Sequence, residues 1–146
     1  MKLSYELFDQ TDQSGFRVLA AQGCNSEAAD LISEYIKATG STRSSLRWHI
    51  AQLRATAGDY PTAIEFAKLS LSPAEDFSLN ALRWNDYVLA TIGYLERDKN
   101  GLLAHRANVE AARTLHFGNE LNLKLLNALV EHYDRDYKYA TSHISD

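Results

Sequence analysis

The side chains of this 146-residue chain best suited to chemistry are its five histidines, its single cysteine and one aspartate set among apolar residues at helical spacing. His49, His105, His116, His132 and His143 never pair at i, i+4. None stands in a His-Glu-x-x-His arrangement, which would put two metal ligands and a base on one helical face. Glu131 and His132 are adjacent, so on a helix they point about 100° apart. Neither a metal nor a cofactor is expected from this set. Cys24 precedes a helix start at Asn25-Ser26, where a helix dipole favours the thiolate. As a lone thiol it reads as a small apolar residue or an inert loop group. No Gly-x-Ser-x-Gly elbow, Ser-x-x-Lys pair or glycine-rich phosphate loop is present, so no catalytic residue is assigned and an enzyme is not expected.

Arg83-Trp84-Asn85-Asp86-Tyr87, with its echo Arg47-Trp48-His49, is the richest cluster. Asp86 shares the helical spacing of Leu79, Leu82, Leu89 and Gly93, which places a carboxylate on an apolar face. A buried carboxylate needs a cation or several hydrogen bonds, and Arg47, Arg83, Arg106 or a histidine would serve. Two readings follow. Asp86 is a buried polar tie between adjacent hairpins, or it is the centre of a small-molecule or enzymatic pocket beside the Arg-Trp pairs.

Helices must position these groups. Leu (20) and Ala (19) far outnumber Val, Ile and Thr, 18 together, which favours side chains that keep their rotamer freedom in a helix over those that fit strands. Leu46, Ile50, Leu53 and Ala57 mark one helix face. Gly58 ends that helix in a left-handed turn, Asp59 starts the next, and Pro61 sits in its first turn, with Ala63, Ile64, Phe66, Ala67 and Leu71 on its apolar face. Ser72-Pro73-Ala74-Glu75 reads as a capping box opening a helix toward Arg97, or a short turn breaking near Phe77-Ser78 before a long helix. Asp98–Gly101 is a turn, with Asn100 capping Leu102–Leu115. Gly118-Asn119 is a further break before a helix over Leu121–Tyr133, and Asp134–Asp136 connects to a short segment from Tyr137. Ala28, Leu31, Ile32, Tyr35 and Ile36 form an earlier amphipathic stretch after Gly23, while Phe16–Ala21 is read as helix from its context.

The chain also repeats. Leu46-Arg47-Trp48 returns as Leu82-Arg83-Trp84, 36 positions on, and Asp59-Tyr60-x-x-Ala63 returns as Asp136-Tyr137-x-x-Ala140, with Asp98 marking the intervening copy. Two helices in a period of 34 to 40 residues are the signature of a helical array. In Arg47–Ser70, with Ile50-Ala51, Gly58, Tyr60, Ala63 and Ala67, the chain resembles the tetratricopeptide-repeat family. Trp48 is one place off that pattern, and the 82–117 unit lacks the turn glycine. The resemblance implies an all-α, right-handed stack of about three antiparallel helical hairpins. It implies one domain over 1–146, with an N-terminal segment 1–22, hairpins over 23–140 and a tail 141–146. Ala51 and Ala63 would let paired helices approach closely. It also implies a concave face lined by the first helix of each hairpin, with Arg47, Trp48, His49, Gln52, Arg83, Trp84, Asn85 and Val88 as candidate contacts for a peptide or partner helix. The tryptophans either line that groove or pack between repeats. The family's peptide-carboxylate clamp does not carry over, since only Asn85 and the two arginines fall near its positions.

The expected function is thus a non-catalytic interaction module or scaffold. A homodimer through an apolar end of the short array is a further expectation. A net charge of −4 works against nucleic-acid binding, although Arg47, Arg54 and Arg83 beside the tryptophans leave helical-repeat RNA binding as an alternative. With no apolar run of signal or membrane-spanning length, a cytoplasmic location is expected.

Overall fold

Three aspartates set the frame. Asp59, Asp98 and Asp136 each accept a hydrogen bond from the backbone N–H three residues on, at Thr62 (3.4 Å), Gly101 (3.0 Å) and Tyr139 (2.8 Å). An aspartate there satisfies one of the orphan donors of a helix start. Four residues after each cap stand Ala63, Leu102 and Ala140, all fully buried. In the computed structural model, which describes residues 28–30, 32 and 44–145, every regular element is α-helical. The helices are α1 (Ser44–Thr56), α2 (Tyr60–Leu69), α3 (Trp84–Leu95), α4 (Lys99–Ala111), α5 (Phe117–Glu131) and α6 (Tyr137–Ser142). The three aspartates cap α2, α4 and α6. Residues 28–30 and 32 are also helical, and Ala28, Ala29 and Ile32 are buried. Cys24, the caps Asn25 and Ser26, and the 1–22 segment lie outside the described residues. No helix among the described residues is long and apolar enough to cross a membrane.

The chain divides into two compact units, Met1–Ser70 and Leu71–Asp146. In the first, α1 and α2 pack together across a turn in which Gly58 takes the left-handed conformation (φ 87°). Glycine adopts it without a Cβ penalty. The buried face of α1 is Leu46, Trp48, Ile50, Ala51 and Ala55, whereas Leu53 is half-buried and Ala57 exposed. The face is therefore rotated from the Leu46–Ile50–Leu53–Ala57 stripe, so that the small Ala51 and Ala55 lie inward with Ala63 and Ala67 of α2.

In the second unit α3 is the central helix, and all of Asp86–Leu95 except the half-buried Leu89 is buried. Gly93 lies against the start of α4, where a Cβ would come within 2.8 Å of the Leu102 backbone nitrogen. Asp86, two turns earlier, meets His105 and Asn108 further along α4, so α3 and α4 run antiparallel. Asn119 near the start of α5 bonds Arg83 at the start of α3, while Tyr94 near the end of α3 reaches Arg135 and Tyr133 beyond the end of α5. Those pairs are 36 to 41 residues apart and run in the same direction, so α3 and α5 are parallel. α4 packs against both, and α6 packs on α5.

The turn after α3 has no glycine. Arg97 takes the left-handed conformation itself (φ 61°), which costs a non-glycine residue about 1 kcal/mol or more. Its guanidinium stacks over Tyr94 and Tyr133 at 5.1 and 4.2 Å and donates to the Tyr133 carbonyl, contacts that offset the strain.

Three local readings are corrected. Residues 72–83 form no helix, because Asp76 and Asn80 turn the backbone with their own side chains by accepting the N–H groups of Ser78 (3.0 Å) and Leu82 (3.0 Å). Ser72 is not a cap. Its N–H and carbonyl are both held by the Asn85 amide at 2.8 Å, and Glu75 accepts the Asn85 N–H at 3.1 Å, so both residues brace the start of α3. Asn100 does not cap α4, since Asp98 does. Nor is Gly118-Asn119 a break. It lies in the first turn of α5, capped by the His116 ring accepting the Gly118 N–H at 2.9 Å.

Candidate functional site

The Asp86 cluster is built where α3 crosses α4. Asp86 is 9% exposed. Its Oδ1 lies 2.8 Å from His105 Nδ1 and accepts from Asn108 Nδ2 at 3.0 Å, and its Oδ2 lies 3.5 Å from Arg83 Nη1. The carboxylate thus has three donors from two helices, as a buried acid requires. Arg83 supplies the cation and His105 a ring nitrogen, whereas Arg106 instead donates to Asn127 at 2.8 Å. One part of the expectation is corrected, because the tie lies within the α3–α4 hairpin rather than between adjacent ones. His105 and Asn108 fall on α4 three residues apart and so share a face. Nothing at residue 86 names them.

The remaining candidates of this unit are engaged inward. Val88 is fully buried. Both ends of the Asn85 amide are bonded to Ser72. The Arg83 guanidinium lies 3.8 Å over the Phe77 ring as well as beside Asp86. Trp84 is half-buried and packs on Tyr87 with ring centroids 5.9 Å apart. In the first unit Trp48 is only 5% exposed, which fits packing, the second of its two readings, and not a groove contact. Arg47, His49 and Gln52 are half-buried. Arg54 pairs with Asp30 at 2.5 Å.

A second polar centre was not legible in the sequence. Asn119 is fully buried, and its three hydrogen bonds each go to backbone. Oδ1 accepts the Arg83 N–H at 2.7 Å, and Nδ2 donates to the carbonyls of Ala81 and Ala112, both at 2.9 Å. One amide joins the entry to α3, the end of α4 and the first turn of α5. Gly118 beside it lets Leu82 approach, since a Cβ there would come within 2.8 Å of Leu82 Cδ1.

Around that joint the surface is apolar. Leu79 is 86% exposed, Phe117 77%, Leu115 68% and Leu121 49%. Leu79 is two residues from Ala81, Leu115 precedes α5, and Phe117 and Leu121, at i and i+4, share a face of α5. The available signal was Leu115-His116-Phe117, apolar on both sides of a turn that would ordinarily be polar.

An open hollow of 490 Å³ lies near the start of α6, between Asp134 and His143. The Tyr139 ring is sandwiched there by the Arg135 guanidinium (3.7 Å) and the His143 ring (3.9 Å). Its walls mix Asp134 and Asp136 with Arg135 and Lys138 and so select neither charge. Among the described residues no group of three His, Cys, Asp or Glu side chains could hold a metal ion. Elsewhere, Asp76 is held below its ordinary carboxyl value of 3.8 by the Ser78 hydroxyl and then by the Ser78 N–H, which accounts for the 72–83 turn and suggests no chemistry.

Compared with protein-family models, with curated proteins and with solved structures, the chain matches none.

Proposed function

We propose that the chain is a non-catalytic protein-interaction module of tetratricopeptide-like helical hairpins, and that its second unit binds a partner helix or peptide on the edge formed by Leu79, Leu115, Phe117 and Leu121. The observation that carries this reading is the exposure of these four large apolar side chains on segments that lead to and from the Asn119 joint. Apolar surface left exposed beyond scattered single residues marks interaction sites on folded proteins. The parallel α3 and α5, with α4 antiparallel against both, fit the arrangement that the resemblance implies. The saturated Asp86 carboxylate supports a structural rather than catalytic role for the acid. Arg83, Asn85 and Val88 are engaged or buried, which favours this edge over the groove they were expected to line.

A photo-crosslinking amino acid at position 117, with the exposed Ala104 on α4 as control, tests the proposal in native cells. A discrete product of defined identity from position 117 and none from 104 is expected. Equal background from both positions overturns the reading.

A further inference from the structure

Of the eight asparagines in the chain, Asn100 alone is followed by glycine. Asparagine is a chemically labile residue, and glycine has no side chain to hinder attack of its amide nitrogen on the preceding carboxamide. In that reaction the Gly101 nitrogen bonds to Asn100 Cγ, the Cγ–Nδ2 bond breaks, and ammonia leaves. The proton given up by the Gly101 nitrogen passes through solvent to the leaving group. Water then opens the five-membered succinimide at one of its two carbonyls, which leaves aspartate or isoaspartate at position 100.

Asn100 is exposed in the first turn of α4, where solvent and base reach it. Two features of that turn oppose ring closure. Closure needs the Gly101 nitrogen nearly eclipsed with Asn100 Cβ, a rotation of ψ well away from the helical value of about −42°. Attack also needs the Gly101 nitrogen stripped of its proton. That N–H is donated to Asp98 Oδ1 at 3.0 Å, and the carboxylate beside it disfavours an amide anion. Asp98 is tied to the glycine as well. A Cβ at 101 would come within 2.6 Å of Asp98 Oδ2, so any larger residue would push the capping carboxylate aside.

The same turn joins the α3–α4 hairpin. Leu102 is fully buried, and its backbone nitrogen lies against Gly93 of α3. Isoaspartate at position 100 lengthens the main chain by one carbon, two residues before that contact.

We propose that Asn100 is a latent self-modification site gated by the Asp98 cap. Opening of the first turn of α4 releases the Gly101 amide, the succinimide forms, and the resulting isoaspartate loosens the packing of Leu102 on α3.

The test is incubation of the full chain in mildly alkaline buffer, folded or unfolded in guanidinium, with mass spectrometry of the peptide that holds position 100. Conversion at Asn100 is expected in both states, slower when folded by on the order of tenfold or more. Asp98→Ala should speed the folded chain about fivefold, the effect of a lost cap on the population of the open turn, and leave the unfolded rate unchanged. Asp98→Ser, which restores a capping oxygen, should return the rate toward that of the wild type. The isoaspartate form, separated by ion exchange, should melt below the unconverted chain. One rate for folded and unfolded wild type overturns the proposal, as does a folded Asp98→Ala chain that converts no faster than wild type. Equal Tm for the two forms overturns its last step.

Discussion

Phe117 and Asn119 stand two residues apart in the first turn of α5, and their burial is the reverse of their polarity. The amide is fully buried and the phenyl ring is 77% exposed. Asn119 faces backbone groups that have lost water and have no helix partner, namely the Arg83 N–H and the carbonyls of Ala81 and Ala112. An apolar side chain there would leave all three unpaired, and an unpaired buried polar group costs about 1–3 kcal/mol. Phe117, on another face of the same turn, is left to solvent. The comparison extends to the whole second unit. At Asp86, His105, Asn108 and Asn119 polar groups hold helices together, whereas large apolar residues remain outside. A search for function among clustered polar side chains therefore leads to the joints of this fold, and its available surface lies among leucines and a phenylalanine.

Substitutions can break that contrast. The largest effect is expected for Asn119→Ala, which orphans three backbone groups at once. It should cost about 3 kcal/mol and lower Tm by several degrees in thermal unfolding, while Asn119→Gln fails to restore the wild-type value because its longer arm misplaces the amide. Asp86→Asn keeps the shape and an acceptor but removes the charge facing Arg83 and His105. A loss of about 1 kcal/mol in urea titration is expected, smaller than for Asn119 because the Arg83 and His105 side chains are partly exposed at 31% and 34%. Phe117→Ser should change the stability of the dilute monomer by less than about 0.5 kcal/mol, as surface positions do. A destabilisation of Phe117→Ser equal to that of Asn119→Ala would show both residues to be structural and would erase the distinction.

Where the relevant physics is local, the sequence was readable. Gly58, Asp59 and Pro61 form the turn into α2 as their types require, whereas α4 is capped by Asp98 and not by the Asn100 read from the sequence. Burial of Asp86 with an arginine or histidine followed from its apolar neighbours and from the cost of an unpaired acid. Readings failed where distant groups intervened. Ser72 and Glu75 carry a capping-box pattern, yet Asn85, 13 and 10 residues away, holds both. Arg97 occupies a glycine conformation beside Tyr133, a ring 36 positions further on. Trp48 and Trp84 share a motif but not an environment, since one is buried and the other half-buried.

The sequence by itself determined an all-α fold, the Gly58-Asp59-Pro61 turn and the need for a compensated acid at position 86, because propensity, capping and desolvation act over a few residues. Tertiary structure alone decided that His105 and Asn108 meet Asp86, that Asn119 joins three chain segments, and that Phe117 and Leu121 stay uncovered. Each of these depends on the direction and length of a neighbouring helix, which the residues concerned do not encode.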